Sequence, residues 1–319
     1  MMKKVKAVVL GSMNFDCVGY SQHFPQRGET LEGESFKTFS GGKGANQAVQ
    51  LALLGADVSL IGSLGSDPFG AILLNNLKTN GIRSDHVSTS DGVPSGTTMI
   101  TVDGKGDNTI LYFPGANRCI RKQDIDDAEE TIQHADVFLT QNELDIEIVE
   151  YGLRMARKHG VVTILNPAPA VHLPDDVYHF VDYLTPNEIE AEAYAGIYQA
   201  DMELDTWLAR TSTWFLNKGV NNVLITLGEK GAYFNNGETQ FLFPAFSVDA
   251  VDTTAAGDAF NGGLAYILAN KGRIDEAITI GCACGALAAQ RKGAQSSMGD
   301  KMKIRMFIQE RDVPIDLRD

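Results

Sequence analysis

An α/β fold, with a doubly wound and mostly parallel sheet flanked by helices, follows from three features of the 319-residue sequence. Short β-branched runs alternate with longer helical stretches, the runs are apolar on both faces, and two segments depart from the pattern as polar-alternating strands with turns. The expected strands are 4–10, 58–61, 137–140, 161–165, 181–184 and 223–226. A strand apolar on both faces suits a parallel sheet covered by helices on both sides. Between them, 45–54, 146–159 and 205–218 carry apolar residues at helical spacing, which completes the βα alternation. The departing segments are 17–40 and 96–113. In the second, Thr97-Thr-Met-Ile-Thr-Val102 precedes the turn Asp103-Gly-Lys-Gly106 and a further strand, 108–113. Hairpins of this kind do not belong to a doubly wound sheet, and together they predict a small antiparallel flap beside it. No repeat or low-complexity linker divides the chain.

Composition narrows the function. With 44% hydrophobic and 21% charged residues, the chain can bury a large core. A formal net charge of −14 opposes non-specific nucleic-acid binding. An anionic ligand such as ATP would therefore need local attraction from amides, a lysine or a metal ion. Cys17, Cys119, Cys282 and Cys284 do not make a disulfide scaffold, and Cys282 with Cys284 reads as a reduced pair of small apolar residues. The six histidines show no ligand spacing for a transition metal. The N-terminal apolar run 5–10 is too short for a signal peptide or a membrane span, so a cytoplasmic location is expected.

Four stretches carry chemistry. Ser40-Gly-Gly-Lys-Gly-Ala-Asn-Gln47 lacks the glycine spacing of a P-loop and does not follow a strand of the parallel type. It places glycines and free amides before a helix ending near Gly55, where a ligand rich in oxygen could approach, and Asn46 suits vicinal hydroxyls. Such a turn also serves structure alone. Asp252-Thr-Thr-Ala-Ala-Gly-Asp258 runs into a helix with the apolar face Phe260, Leu264, Ile267 and Leu268. Amides at that start suit a phosphoryl group, and Asp258 beside them could take a hydroxyl proton or merely complement the helix dipole. Gly262 and Gly263 lie inside the helix at a cost of about 1 kcal/mol each against alanine, so something must pack closely there. In Thr185-Pro-Asn-Glu-Ile-Glu190, Thr185 and Glu188 read as a capping box with Pro186 at the first helical position. Asn187 and Glu190 then share a face suited to a water-bridged Mg²⁺. Finally, Thr226-Leu-Gly-Glu-Lys-Gly231 is a strand followed by a glycine turn, where Gly228 and Gly231 would allow backbone contact with a nucleotide.

Taken together these stretches resemble the ribokinase (PfkB) family of carbohydrate kinases. The resemblance is collinear through Gly11-Ser-Met-Asn-Phe-Asp16, Phe24-Pro25, Gly28-Glu-Thr30, Gly41-Gly-Lys-Gly-Ala-Asn-Gln47, Gly115-Ala-Asn117, Asn166-Pro-Ala-Pro-Ala170, Thr185-Pro-Asn-Glu188, 252–258 and Arg291-Lys-Gly-Ala-Gln295. It implies a single ribokinase-like domain over 1–319, with a β-sheet lid from roughly 13–40 and 94–115 that covers the sugar and forms a homodimer. It also implies roles at the matching positions. Asn14, Asp16, Gly42, Lys43, Asn46 and Glu143 would bind sugar hydroxyls. Asp258 would be the catalytic base, with the amides of Ala255, Ala256 and Gly257 as an anion hole. Asn187 and Glu190 would order Mg²⁺ and phosphates; Thr226, Gly228, Gly231, Gly257 and Cys282 would lie along ATP. A K⁺ activator would take its oxygens from Asp252, Thr254, Ala288, Arg291, Gly293 and Ser297.

Ser296 and Gly299 stand where the family commonly has proline. Tyr112-Phe-Pro114 in the second lid segment is bulkier than usual for the family, Met99 and Phe15 are expected to alter the sugar pocket, and the tail after Val313 reads as an extra surface segment. The implied reaction is ATP-dependent phosphorylation of D-ribose at its 5-hydroxyl by direct in-line transfer. Related sugars (2-deoxyribose, fructose) or a nucleoside are the alternatives within the family. A sugar sensor that has lost catalysis is the alternative outside it, which an intact Gly257-Asp258 and Asn187/Glu190 argue against.

Overall fold

The computed structural model describes residues 4–315 and 317. The strands are β1 (Lys6–Leu10), β2 (Asn14–Tyr20), β3 (Ser35–Gly41), β4 (Asp57–Gly65), β5 (Arg83–Ser90), β6 (Gly96–Val102), β7 (Asn108–Phe113), β8 (Val137–Gln141), β9 (Val162–Asn166), β10 (Tyr183–Leu184), β11 (Asn222–Thr226), β12 (Ala232–Asn235) and β13 (Gln240–Phe243). The helices are α1 (Lys43–Leu53), α2 (Pro68–Thr79), α3 (Lys122–Asp126), α4 (Glu129–Gln133), α5 (Ile146–Lys158), α6 (Glu188–Ala195), α7 (Leu204–Asn217), α8 (Ala256–Ala269), α9 (Ile274–Ala289) and α10 (Lys301–Gln309). None is long and apolar enough to cross a membrane among the described residues.

The large sheet has the order β13-β12-β11-β10-β9-β8-β1-β4-β5. It is parallel from β11 to β5, and β12 and β13 add an antiparallel edge. Successive residues of one strand feed opposite faces, as strand geometry requires. Val9 and Leu139 join the core under α1, α2, α8, α9 and α10, whereas Val8, Leu10 and Phe138 join the core under α5 and α7. The strand expected at 181–184 is reduced to Tyr183–Leu184. β5 escaped sequence reading because its residues, Arg-Ser-Asp-His-Val-Ser-Thr-Ser, are polar and half-exposed at the sheet edge.

From β1 the chain moves through β4 to β5 on one side, then returns to β8 on the other. The direction of winding reverses between β1 and β8, and the crevice at the carboxyl ends of such strands is where open α/β sheets bind ligands.

The two departing segments form one four-stranded sheet in the order β3-β2-β6-β7. Its outer pairs are antiparallel as expected, but the central pair β2–β6 is parallel. The reason is topological: β2 follows β1 and β6 follows β5, so both leave the same end of the large sheet running outward. Residue alternation also corrects the placing of Phe15 and Met99. They lie on the face opposite Asp16 and Thr98, Phe15 stacked on Phe69 at 4.2 Å and Met99 exposed. Of the tail after Val313, the described residues 315 and 317 are not a surface segment, since Ile315 packs on the core, Leu317 is buried and the Arg305 guanidinium donates to the Leu317 carbonyl; 316, 318 and 319 lie outside the described residues.

The glycines inside α8 have the expected cause. A Cβ on Gly262 would lie 2.6 Å from Gln50 Cβ of α1, and one on Gly263 would lie 2.8 Å from Cys284 Sγ and 3.0 Å from the Ile280 carbonyl of α9. Gly263→Val should therefore lower the free energy of unfolding by about 1–3 kcal/mol, because overpacking a tight helix contact forces the backbones apart. A urea midpoint equal to that of the unsubstituted protein would refute this account of the α8–α9 contact.

Candidate active site

The chain segments leaving β1, β8, β9, β10 and β11 converge above the crevice. α1 is reached through Gly42, whose φ of 88° and crowded surroundings (a Cβ would sit 2.7 Å from Asn14 N) exclude other residues. Gly44 in the first turn is pressed against Gly11, where a Cβ would lie 2.5 Å from the Gly11 backbone. The amides at the start of α1 are not open to a ligand as the sequence suggested. Lys43 N–H donates to Glu143 Oε2 (3.2 Å), Gly44 N–H to Ser12 Oγ (3.4 Å) and Ala45 N–H to the Ser12 carbonyl (2.9 Å).

That arrangement fixes the residues expected to bind sugar. Ser12 Oγ and Asn14 Nδ2 donate to Glu143 Oε2 at 2.5 and 3.4 Å. Asn117 then donates to Asn14 Oδ1 (2.8 Å) and accepts from Met13 N (3.0 Å), tying the small sheet to the large one. Asp16 accepts from the Thr98 hydroxyl on the neighbouring strand. Burial, reinforced by the nearby Glu143 charge and only partly offset by Thr98, raises the Asp16 carboxyl to about 6. On the same face, Tyr112 reaches back from β7 to donate to the Glu143 carbonyl at 3.3 Å.

Asp258 lies in the first turn of α8 and is buried. Asn46 Nδ2 donates to its Oδ2 at 2.9 Å and Gln47 Nε2 to its Oδ1 at 3.1 Å. α8 begins at Ala255 in the left-handed region (φ 60°) with no side-chain cap. Ala256 N–H bonds to the Thr253 carbonyl, whereas no acceptor among the described residues takes the N–H of Gly257 or Asp258. A Cβ on Gly257 would meet nothing within 4 Å. Two free amides at a helix start thus face open space beside a carboxylate, an arrangement suited to an anion. Burial acts to lower the Lys43 ammonium, but the charges of Asp258, Glu143 and Glu190 together hold it above its ordinary value, so Lys43 is a cation among carboxylates.

On the other side of the crevice, the cap of α6 differs from expectation. Asn187, not Thr185, is the N-cap, and its box partner is Glu190. Thr185 is buried and spends its hydroxyl on Asn261 Oδ1 (2.6 Å), so it continues β10 and Pro186 precedes the helix. Asn187 N and Nδ2 donate to Glu190 Oε2 and Oε1 (2.9 and 3.1 Å), and Glu190 N donates back to Asn187 Oδ1 at 2.8 Å. Thr226 N–H and hydroxyl bond to the Pro186 carbonyl. Gly228 has φ 55° and no neighbour within 4 Å of a would-be Cβ, which leaves its surface open. Gly231 does not: a Cβ would lie 1.9 Å from the Phe243 carbonyl, so β13 rather than a ligand demands that glycine. Cys282 is buried on α9, its thiol pushed up to about 12 by burial, and all four cysteines are free.

Of the residues expected to hold K⁺, hydrogen bonds join Asp252, Thr254 and Gly293, and none of these joins them to Ala288, Arg291 or Ser297 among the described residues. Asp252 Oδ1 accepts from Thr254 N and Oγ1 (3.0 and 2.6 Å), and its Oδ2 accepts from Gly293 N at 2.9 Å. Burial opposes ionisation of Asp252, but these bonds hold its carboxyl below the ordinary range. Arg291 N–H bonds to the Ala288 carbonyl, and Ser297 donates its hydroxyl to the Ala294 carbonyl.

Sequence reading assigned no role to the amides behind the site, Gln47, Gln141, Asn166 and Gln295. Gln47 Nε2 also donates to Asn166 Oδ1 (3.2 Å), Gln141 Nε2 to Gln47 Oε1 (2.6 Å) and Gln295 Nε2 to Asn46 Oδ1 (3.1 Å). The available signal was an amide-bearing run, Asn46-Gln47 and Gln50, on the otherwise apolar α1.

Comparison with known proteins agrees with this geometry. Residues 4–301 match the pfkB family of carbohydrate kinases. The ribokinase of Haemophilus influenzae is 38% identical over 301 residues, covering 94% of this chain and 97% of that one. A deoxyribokinase of Salmonella typhi is 36% identical over 292 residues, covering 91% and 94%. The structure of Arabidopsis thaliana ribokinase complexed with ribose and ATP superposes with a TM-score of 0.89 at 28% identity, covering 96% of this chain and 99% of that one. The chain belongs to the pfkB family of carbohydrate kinases and is a sugar phosphotransferase.

Proposed function

We propose that this enzyme phosphorylates D-ribose at its 5-hydroxyl with Mg·ATP. The observation that carries the reading is the buried Asp258 carboxylate beside the two free amides of α8, hydrogen-bonded to Asn46 on the sugar side. Asp258 orients the attacking hydroxyl and receives its proton late, since phosphoryl transfer through a loose transition state depends on positioning and charge more than on a strong base. The amides of Ala255, Ala256 and Gly257 are assigned to the transferring group; among them the Gly257 amide is free, while that of Ala256 is already engaged with Thr253. Asn14, Asp16, Gly42, Lys43, Asn46 and Glu143 are assigned to the sugar, and Thr226 and Gly228 to the nucleotide. Ribose is favoured by the relatives that bear its name; the deoxyribokinase at similar identity supports 2-deoxyribose as the second reading.

The cation assignments fit the donors present. Glu190 offers two carboxylate oxygens that each take one hydrogen bond and keep a lone pair, which suits contact with Mg²⁺ through water. When bound, Mg²⁺ would neutralise phosphate charge. For K⁺, the carbonyls of Thr254, Arg291 and Gly293 accept no backbone hydrogen bond among the described residues, and Asp252 supplies charge beside them. The small sheet is assigned as the lid over the sugar. Phe36, Met99, Leu111 and Phe113 are exposed on its face turned away from Asp16, and we assign that face to a second copy of this chain.

Four measurements test these assignments. In an ADP-release assay against ribose, 2-deoxyribose, fructose and adenosine, with and without K⁺, ribose should give the highest turnover and K⁺ should raise it. Asp258→Asn should lose on the order of 10²- to 10⁴-fold in turnover with sugar affinity kept, and near-normal turnover would remove Asp258 from the role. The carboxyl of Asp16 is an ionised acceptor above pH 6 and protonated below it. The kcat/KM for sugar should thus fall towards tenfold per unit below about pH 6, with kcat less affected; a flat profile from pH 5 to 7 would exclude Asp16 as an acceptor. In sedimentation the protein should have twice its 34.5 kDa chain mass, and Leu111→Lys should return it to one chain. A monomer without the substitution would sink the dimer.

A further inference from the structure

Asn46 and Gln47 are consecutive on α1, yet each gives one donor to a different oxygen of Asp258. Their surroundings differ. Gln47 and Gln141 are almost fully buried, whereas Asn46 and Asn166 keep a slight exposure. The direction of this buried chain of amides is set by its ends. The Thr185 carbonyl can only accept, so Asn166 presents Nδ2 to it (2.9 Å) and turns Oδ1 towards Gln47. The Asp258 carboxylate likewise can only accept. The amide nitrogen of Gln47 therefore sits between two acceptors and uses both of its protons, at 3.1 and 3.2 Å. Its oxygen is taken by Gln141 Nε2 at 2.6 Å. A flipped Gln47 amide would put oxygen against two oxygens and leave Gln141 facing an NH₂, so one orientation is enforced.

We propose that Gln47 is a positioning residue for phosphoryl transfer, locked by Gln141 and Asn166 so that it holds the Asp258 carboxylate in place while Asn46 exchanges its bond to that carboxylate for one to the sugar. The proposal rests on Asp258 as the base. It separates two amides that the sequence presents as one motif: Asn46 contacts substrate, and Gln47 acts through Asp258. An unbonded carboxylate oxygen at the first turn of α8 would be free to rotate away from the reacting hydroxyl, and a small misplacement of a reacting group costs turnover rather than binding.

Steady-state kinetics with ribose and Mg·ATP test this. Gln47→Met keeps the length of the side chain and removes both donors. Its kcat should fall on the order of 10- to 100-fold while the KM values for both substrates stay within about threefold, the signature of an interaction needed for the chemical step. Gln50→Met is the control for a purely structural role. Gln50 lies one turn on, is fully buried and donates to the Gly299 carbonyl at 3.0 Å, so its loss should lower stability and leave kcat within about threefold. A kcat for Gln47→Met within threefold of the unsubstituted enzyme, or a rise in KM that matches the loss of kcat, overturns the proposal. Should Gln47→Met not fold, Gln141→Met replaces it; it unlocks the Gln47 amide and should lower kcat about 3- to 10-fold at unchanged KM, and an unchanged kcat overturns the proposal equally. Asp258→Asn in the same assay separates the two claims. Turnover in that variant ends the base assignment and this inference with it, whereas an inactive Asp258→Asn beside an unimpaired Gln47→Met ends this inference alone.

Discussion

The close approach of α1 to α8 is the constraint on which the site depends. Packed helices stand about 8–10 Å apart, the distance depending on the side chains at the contact, and glycine at the contact lets the backbones approach. Here Gly262 removes the Cβ that would meet Gln50, and the α8 backbone settles against α1. Gly44 does the same where α1 meets the end of β1. Three elements thereby converge, and their side chains meet at hydrogen-bonding distance: Asn46 and Gln47 from α1, Asp258 from α8, Glu143 from the segment after β8. The helical glycines cost local stability and permit this close approach.

Electrostatics follow from that packing. Glu143, Glu190 and Asp258 gather around Lys43, Asp16 lies beside Glu143, and burial pushes the Asp16 and Glu190 carboxyls upward. Such a cluster is unfavourable unless each charge has donors or a cation nearby. Amides supply most of them, so the crevice holds carboxylates ready to accept from hydroxyls without a compensating ring of arginine. The protein as a whole is acidic, and the groups suited to an anion are local: the free N–H groups at the start of α8. Long-range attraction is not needed where the donors are preorganised.

The parts of this architecture that were legible in the sequence are those with a single physical cause. Glycines at 42, 44, 262 and 263 report close approach whatever the neighbour is, and doubly apolar strands report a covered parallel sheet. Asp258 at a helix start beside Gly257 was visible for the same reason. The capping of α6 was misread because Thr185 and Asn187 are both good caps with a glutamate three residues on; only the burial of Thr185 against Asn261 decides between them. Gly231 was read towards a ligand when the partner was the chain's own β13. The supporting amides Gln141 and Asn166 were not assignable, because a polar residue ending an apolar strand is equally compatible with solvent, and Asn117 lies in a short turn whose partners only the fold reveals. Their partners lie 94, 119 and 103 or 104 residues away in sequence.

The small sheet illustrates how topology divides rigidity between its ends. At its base, Asn14, Gly41 and Gly96 are paired across strands, and Asn117 bonds to both Met13 and Asn14. A Cβ on Gly96 would lie 2.3 Å from Asn117 Nδ2, so the joint admits no larger residue. Further out, β7 is exposed along its whole length and is held by backbone pairing to β6, with Tyr112 donating to the Glu143 carbonyl. Asp16 and Thr98 sit one pleat repeat from the fixed base, and Tyr112 lies in the same cross-strand row. The residues assigned to sugar recognition are thus borne on the rigid end, where side-chain hydrogen bonds fix the sheet to the carboxyl ends of β1 and β8. The outer half is free of such ties, and differences in its apolar surface can alter what covers it without disturbing the geometry at Asp258.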